Sequence, residues 1–146
     1  MYQMDAQTEA RVWERVRGEG SAPPDAGAFP GLLLEELQAA AALQLLSRRF
    51  QGRERMLLQR MVREEQEHAA CLRGICRLVN GSTPACRAPA AEDTSTEILL
   101  RRCYAGKMRA LAAYESRCSG EYAPAFAAMA AQERQHACLL LQLMGK

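Results

Sequence analysis

Residues 61–72 read MVREEQEHAACL, and residues 129–140 read MAAQERQHACLL. At a constant offset of 68 positions, Met61, Glu65, His68, Ala69 and Leu72 recur as Met129, Glu133, His136, Ala137 and Leu140. The chain has two histidines, and each has a glutamate three residues before it. Its 14 glutamates in 146 positions put a Glu there by chance about once in ten, and about once in a hundred for both histidines. The two stretches therefore read as copies of one duplicated helix. Around them Leu58, Met61, Leu72 and Val79, and likewise Phe126, Met129, Leu140 and Leu143, fall at helical steps on one face. In both copies a carboxylate and an imidazole interrupt an apolar stripe, which is costly unless something pairs with them.

Side chains at i and i+3 share a helical face, so one ion can touch both members of a Glu-x-x-His pair. Imidazole nitrogen combined with carboxylate oxygens suits iron, manganese or zinc. Against this stands a plainer reading, in which each histidine donates to its own or a neighbouring Glu in a polar core layer.

Outward from the duplicated pair, the pattern gives an all-α fold, an antiparallel four-helix bundle. The first helix is expected from Gly31 to Phe50 and the second from Arg53 to Val79, stopped at Asn80-Gly81. After a loop with Pro84 and Pro89, Thr94 and Glu97 have the spacing of a capping box that opens the third helix, which runs to Ser119-Gly120. The fourth opens at Pro124, suited to a first turn, and ends at Met144. Two short connections and one longer crossover make two hairpins of helices. Residues 1–30 stand apart, as a short amphipathic helix from Asp5 to Arg17 and a breaker-rich linker, GEGSAPPDAGAFP. Residues 31–146 form the bundle.

Composition narrows the function. Net charge is +2 with Arg and Glu interleaved, so no block of one sign points to nucleic acid or an anionic membrane. No apolar run is long enough to span a bilayer or to serve as a signal peptide. Cysteines at 71, 76, 86, 103, 118 and 138 include no C-x-x-C spacing, which excludes a zinc ribbon or rubredoxin-type knot. Reduced thiols in a cytoplasmic protein are the expectation. Trp13 and its helix need cover, from the bundle or from a second copy in a homodimer.

The first and third helices are expected to face the pairs with one carboxylate each. Glu36 lies about 15 residues before the first bend and Glu65 about 14 after it, so equal rise sets them side by side. Glu36 shares a face with Ala40 and Leu43, and Glu35 is the alternative. The third helix overlays the first at an offset of 71, matching Ala39, Ala41 and Ala42 with Ala110, Ala112 and Ala113. That register puts Tyr114 on Leu43 and Lys107 on Glu36. A lysine thus stands where the fourth carboxylate belongs. Cys103 and Tyr104, one turn earlier, fall near the same pocket, and Tyr114 faces the core; packing is the plainer role for each.

Glu36, Glu65-Gln66-Glu67-His68 and Glu133-Arg134-Gln135-His136 resemble the ferritin-like superfamily, most nearly single-domain rubrerythrin-like proteins, over residues 31–144. The resemblance implies one metal on Glu36 and His68, bridging roles for Glu65 and Glu133, and a second metal at His136. It implies one or two iron ions (manganese or zinc in their place), peroxide or oxygen as the small-molecule oxidant, and a separate electron donor. Lys107, Tyr114 and Cys103 are then the candidate catalytic side chains. Lys107 departs from the pattern and leaves two readings open. Either one metal sits at the Glu36/His68 end, or the ammonium closes the site and the polar core is a metal-free, salt-bridged layer. A register slip of one residue would turn Lys107 outward instead.

Overall fold

A computed structural model describes residues 28–145, and the expected helix at Asp5–Arg17 lies outside them. The fold is all-helical, a four-helix bundle: α1 (Phe29–Ser47), α2 (Gly52–Asn80), α3 (Thr96–Glu115) and α4 (Ala123–Met144). α1 begins two residues earlier than expected, with Pro30 inside its first turn, where the absent N–H costs nothing. α2 ends as expected. Gly81 takes the left-handed conformation (φ 77°), and its N–H closes the last turn on the Arg77 carbonyl at 2.9 Å.

The start of α3 differs from the expected capping box. Ser95 caps the helix, its hydroxyl accepting from the Ile98 N–H at 3.2 Å. The Thr94 carbonyl accepts a hydrogen bond from Arg49, at the end of α1, and Glu97 pairs with Arg101 one turn on at 2.7 Å. The competing partners move the cap by one residue. α3 also stops at Glu115, with the last stretch before Gly120 forming a turn.

Arg49 also pairs with Asp93, so the far end of the crossover is fastened beside the α1–α2 turn. The 81–95 segment therefore travels the length of the bundle, and α3 runs in the direction of α2. α1 packs on α2 and α3, and α4 packs on α3 and α2. Every neighbouring pair is antiparallel, as the two apolar layers demonstrate. One layer joins Phe29 and Leu33 at the start of α1 to Ile75, Tyr114 and Phe126. The other joins Leu43 and Leu46 to Leu58, Leu99 and Leu143. Between the layers lies a band of buried charge: Glu36, Glu65, His68, Lys107, Glu133 and His136. Among the described residues, no helix is long and apolar enough to cross a membrane.

Candidate metal centre

Each helix sends at least one side chain into the charged band. α1 gives Glu36, which is buried on the face of Ala40 and Leu43, while its neighbour Glu35 is exposed. α2 gives Glu65 and His68, α3 gives Lys107 and Tyr114, and α4 gives Glu133 and His136. Lys107 points inward and is 2% exposed. Its Nζ donates to Glu65 Oε1 and lies 3.3 Å from Glu133 Oε2, close enough for attraction but without hydrogen-bond alignment.

The two histidines cross between α2 and α4 in a pseudo-twofold pattern. His68 Nδ1 donates to Glu133 Oε1 at 3.0 Å, and its Nε2 donates to Gln132 Oε1 at 2.5 Å. His136 Nδ1 lies 2.8 Å from Glu65 Oε1, and its Nε2 lies 3.4 Å from Glu64 Oε2. The rings stack with centroids 6.3 Å apart. Gln132 and Glu64 were not among the sequence candidates. Their signal was present, since they too are related by the offset of 68.

Glu36, Glu65, His68 and Glu133 each turn one ligand atom toward a common point, all within 4.8 Å of one another. His136 is outside this group, on the ammonium's side of the cluster. Oε2 of Glu36, of Glu65 and of Glu133 are buried with no hydrogen-bond partner. Carboxylate oxygens without hydrogen bonds are expensive in a low-dielectric interior and call for positive charge. His68 Nδ1 offers it to those of Glu36 and Glu65 at 3.5 and 3.7 Å, and Lys107 Nζ to that of Glu133 at 3.3 Å; a metal ion would supply it more strongly. The donor set is that of a hard-to-borderline transition ion. The residues fit a metal.

The electrostatics show what holds the cluster together otherwise. Burial pushes the Glu65 carboxyl up, but hydrogen bonds from His136 and His68 and the Lys107 charge outweigh it and hold the group well below the ordinary 4.5. Burial works against the His68 imidazolium, yet the bonds to Glu133 and Glu65 raise its pKa from 6.5 to about 10. His68 therefore stabilises the metal-free fold fully below pH 6.5, and this is lost as pH rises through about 10. Glu65 contributes above about 4.5 and loses its contribution as pH falls below that value. Thermal midpoints of chelated protein are expected to be highest near pH 4.5–6.5 and to decline toward pH 10; a flat profile above pH 6.5 contradicts the His68 assignment.

Tyr114 is fully buried, stands edge-on to His68 and donates its hydroxyl to Glu36 Oε1. Burial and the nearby carboxylates raise its pKa, so it stays a donor. Tyr114→Phe leaves that oxygen unsatisfied, and a loss of about 1–3 kcal/mol is expected by urea denaturation of the metal-free protein. Cys103 lines the wall beside Lys107 and is not part of the converging group. Burial lifts its thiol to about 11 despite the lysine, which keeps it a protonated, weakly nucleophilic side chain. Tyr104 is half-buried among the apolar residues of the Leu43–Leu143 layer.

Set against family models, curated proteins and solved structures, the chain matches none of them.

Proposed function

We propose that the chain is a ferritin-like, rubrerythrin-like metalloprotein that holds one divalent transition ion on Glu36, Glu65, His68 and Glu133. Iron is the first choice, with manganese or zinc as alternatives, and the activity is redox chemistry on peroxide or oxygen with a separate electron donor. The observation that carries this reading is the convergence of Glu36, Glu65 and Glu133 on His68, with one ligand atom of each within 4.8 Å of the others. Bound iron would supply one-electron redox chemistry. The protein's own part is positioning. Gln132 takes the His68 Nε2–H and so directs Nδ1 at the cluster. Tyr114 orients Glu36, and Lys107 holds Glu65 and Glu133 together.

A second reading has its own observation. The Lys107 ammonium already neutralises part of the carboxylate charge, as a metal-free structural layer would require. Uptake after anaerobic loading with ferrous or manganous ion separates the two. The metal reading expects about one ion per chain and a melting temperature that falls on chelation, since ligand at 100 times its Kd stabilises by about 2.7 kcal/mol. Uptake below a few tenths of an ion, with melting unchanged by chelator, selects the salt-bridged layer.

A further inference from the structure

Two arginines outside the charged band have no acid to pair with. Arg73 of α2 has Ala69, Ala70, Cys76 and Arg77 at the positions three and four residues away, so its own helix offers no carboxylate. Arg87 of the crossover stands among Ala85, Cys86, Ala88 and Pro89, and the next acid along, Glu92, is taken by Arg102 at 2.8 Å. Elsewhere the helices supply such partners, as in Arg60–Glu64 and Arg101–Glu97. Among the described residues, neither Arg73 nor Arg87 has a hydrogen bond or an ion pair.

Both arginines line a cavity of about 420 Å³ enclosed by α1, α2 and residues 86–88 of the crossover. Leu37, Ala40 and Ala41 of α1 and Val62 of α2 form its apolar wall, and no Asp or Glu is among the described residues that line it. The direction of Arg73 follows from helix geometry. Side chains lean toward the N-terminal end of their helix, and the other α2 residues of the lining, Val62 and Gln66, lie on that side of Arg73. The turn it leans across carries Ala69 and Ala70, whose methyl groups leave it room. Arg73 is half-buried, yet none of its nitrogens is both buried and unpartnered, so the guanidinium ends in open space. The cavity between α1 and α3 differs, since Glu35, Glu36 and Glu92 there balance Arg102, Lys107 and Arg109.

We propose that the cavity between α1, α2 and the crossover binds a small organic oxyanion, a carboxylate or phosphate on a short apolar body, with Arg73 and Arg87 on its oxygens. The planar guanidinium fork matches either anion, and the apolar wall takes the body. The volume falls in the range that accepts small organic ligands. A neutral ligand of the same shape leaves both guanidinium groups without a counter-charge, and a cationic one is repelled. None of Glu36, Glu65, His68, Lys107, Glu133 and His136 lines this cavity, so the site is independent of the metal reading.

The test titrates the whole, metal-free protein with benzoate and with phenyl phosphate, following the methyl groups of Ala40, Ala41 and Ala88 by NMR. At least one anion is expected to saturate with a Kd near or below about 1 mM, with benzyl alcohol and benzylamine at least about tenfold weaker. Arg73→Gln should weaken the anion at least about tenfold, and Arg73→Lys at least about threefold, because an ammonium lacks the fork. Arg73 makes no hydrogen bond on which the fold depends, so both variants are expected to fold. Arg77→Gln, one turn on and outside the lining, should change the Kd less than about twofold, which separates this site from a general loss of positive charge. Ala41→Phe fills the cavity and should weaken binding at least about tenfold, whereas Ala39→Phe, in the cavity beside α3, should not. No saturation by about 10 mM of either anion, equal binding of benzyl alcohol, or an unchanged Kd in Arg73→Gln overturns the proposal. Tighter binding of phenyl phosphate assigns the site to phosphate ligands, and equal or tighter binding of benzoate assigns it to carboxylates.

Discussion

Lys107→Ala is expected to destabilise the metal-free protein by about 3–5 kcal/mol, the cost of leaving buried charge without its partner. The size follows from where the ammonium sits. Glu65 and Glu133 are both 0% exposed, and Lys107 is the fixed cation between them. Without it the carboxylates repel in a medium that screens poorly, and the loss is a large share of the 5–15 kcal/mol typical of a domain. Lys107→Met, which preserves much of the packing, should lose nearly as much, showing that charge rather than volume is responsible. Acid should reduce the deficit, because protonating one carboxylate removes the repulsion. Manganous or zinc ion should reduce it too, since a second cation can take the vacated place. Urea denaturation at pH 7 and pH 5, with and without metal, measures all of these. A shift in either variant below about 1 kcal/mol would mean that Lys107 is not part of the charge balance.

The features that governed this site differ in how visible they were. The helix order and the buried pairs Glu65/His68 and Glu133/His136 were legible because a duplicated, strictly periodic apolar stripe with charge at its centre fits only helices that bury that charge together. Counting residues from the bend set the height of the α1 carboxylate, since antiparallel helices rise at the same rate, and the face shared with Ala40 and Leu43 told Glu36 from Glu35. Lys107 was legible for the same reason, although its two carboxylate partners could be narrowed only to Glu133 and a neighbour. What escaped was set by tertiary competition. Thr94 and Ser95 are both competent caps, and only the bond from Arg49 to the Thr94 carbonyl decides between them. The Tyr114–Glu36 bond runs between α3 and α1, across a distance in sequence that no local pattern reports. The departure of His136 from the converging group has the same origin. Its Nδ1 meets Glu65 Oε1, the oxygen that also receives Lys107, so the residue that broke the sequence pattern also shaped its neighbour's role.

Lys107→Glu is the substitution with the largest consequence for metal content, and it is expected to raise uptake from one ion per chain to two. The two halves of the cluster are already equivalent in outline. His68 leans on Glu133 and Gln132 in one half, and His136 leans on Glu65 and Glu64 in the other. Glu36 and Lys107 occupy matching places on α1 and α3. A carboxylate at 107 would complete a second shell with His136 and the two shared glutamates, while removing the one fixed cation from the band. The metal-free variant then carries four buried carboxylates with only histidines to oppose them. It is expected to be largely unfolded at pH 7 and to fold on addition of manganous or ferrous ion, making metal binding and folding one transition. Circular dichroism during metal titration, with metal analysis of the folded product, reads both quantities together. Folding with one ion would show that the second half cannot close around a metal even with a carboxylate supplied. A variant that folds equally well in chelator would show that the band tolerates unbalanced charge, and orphaned carboxylates would then no longer call for a cation.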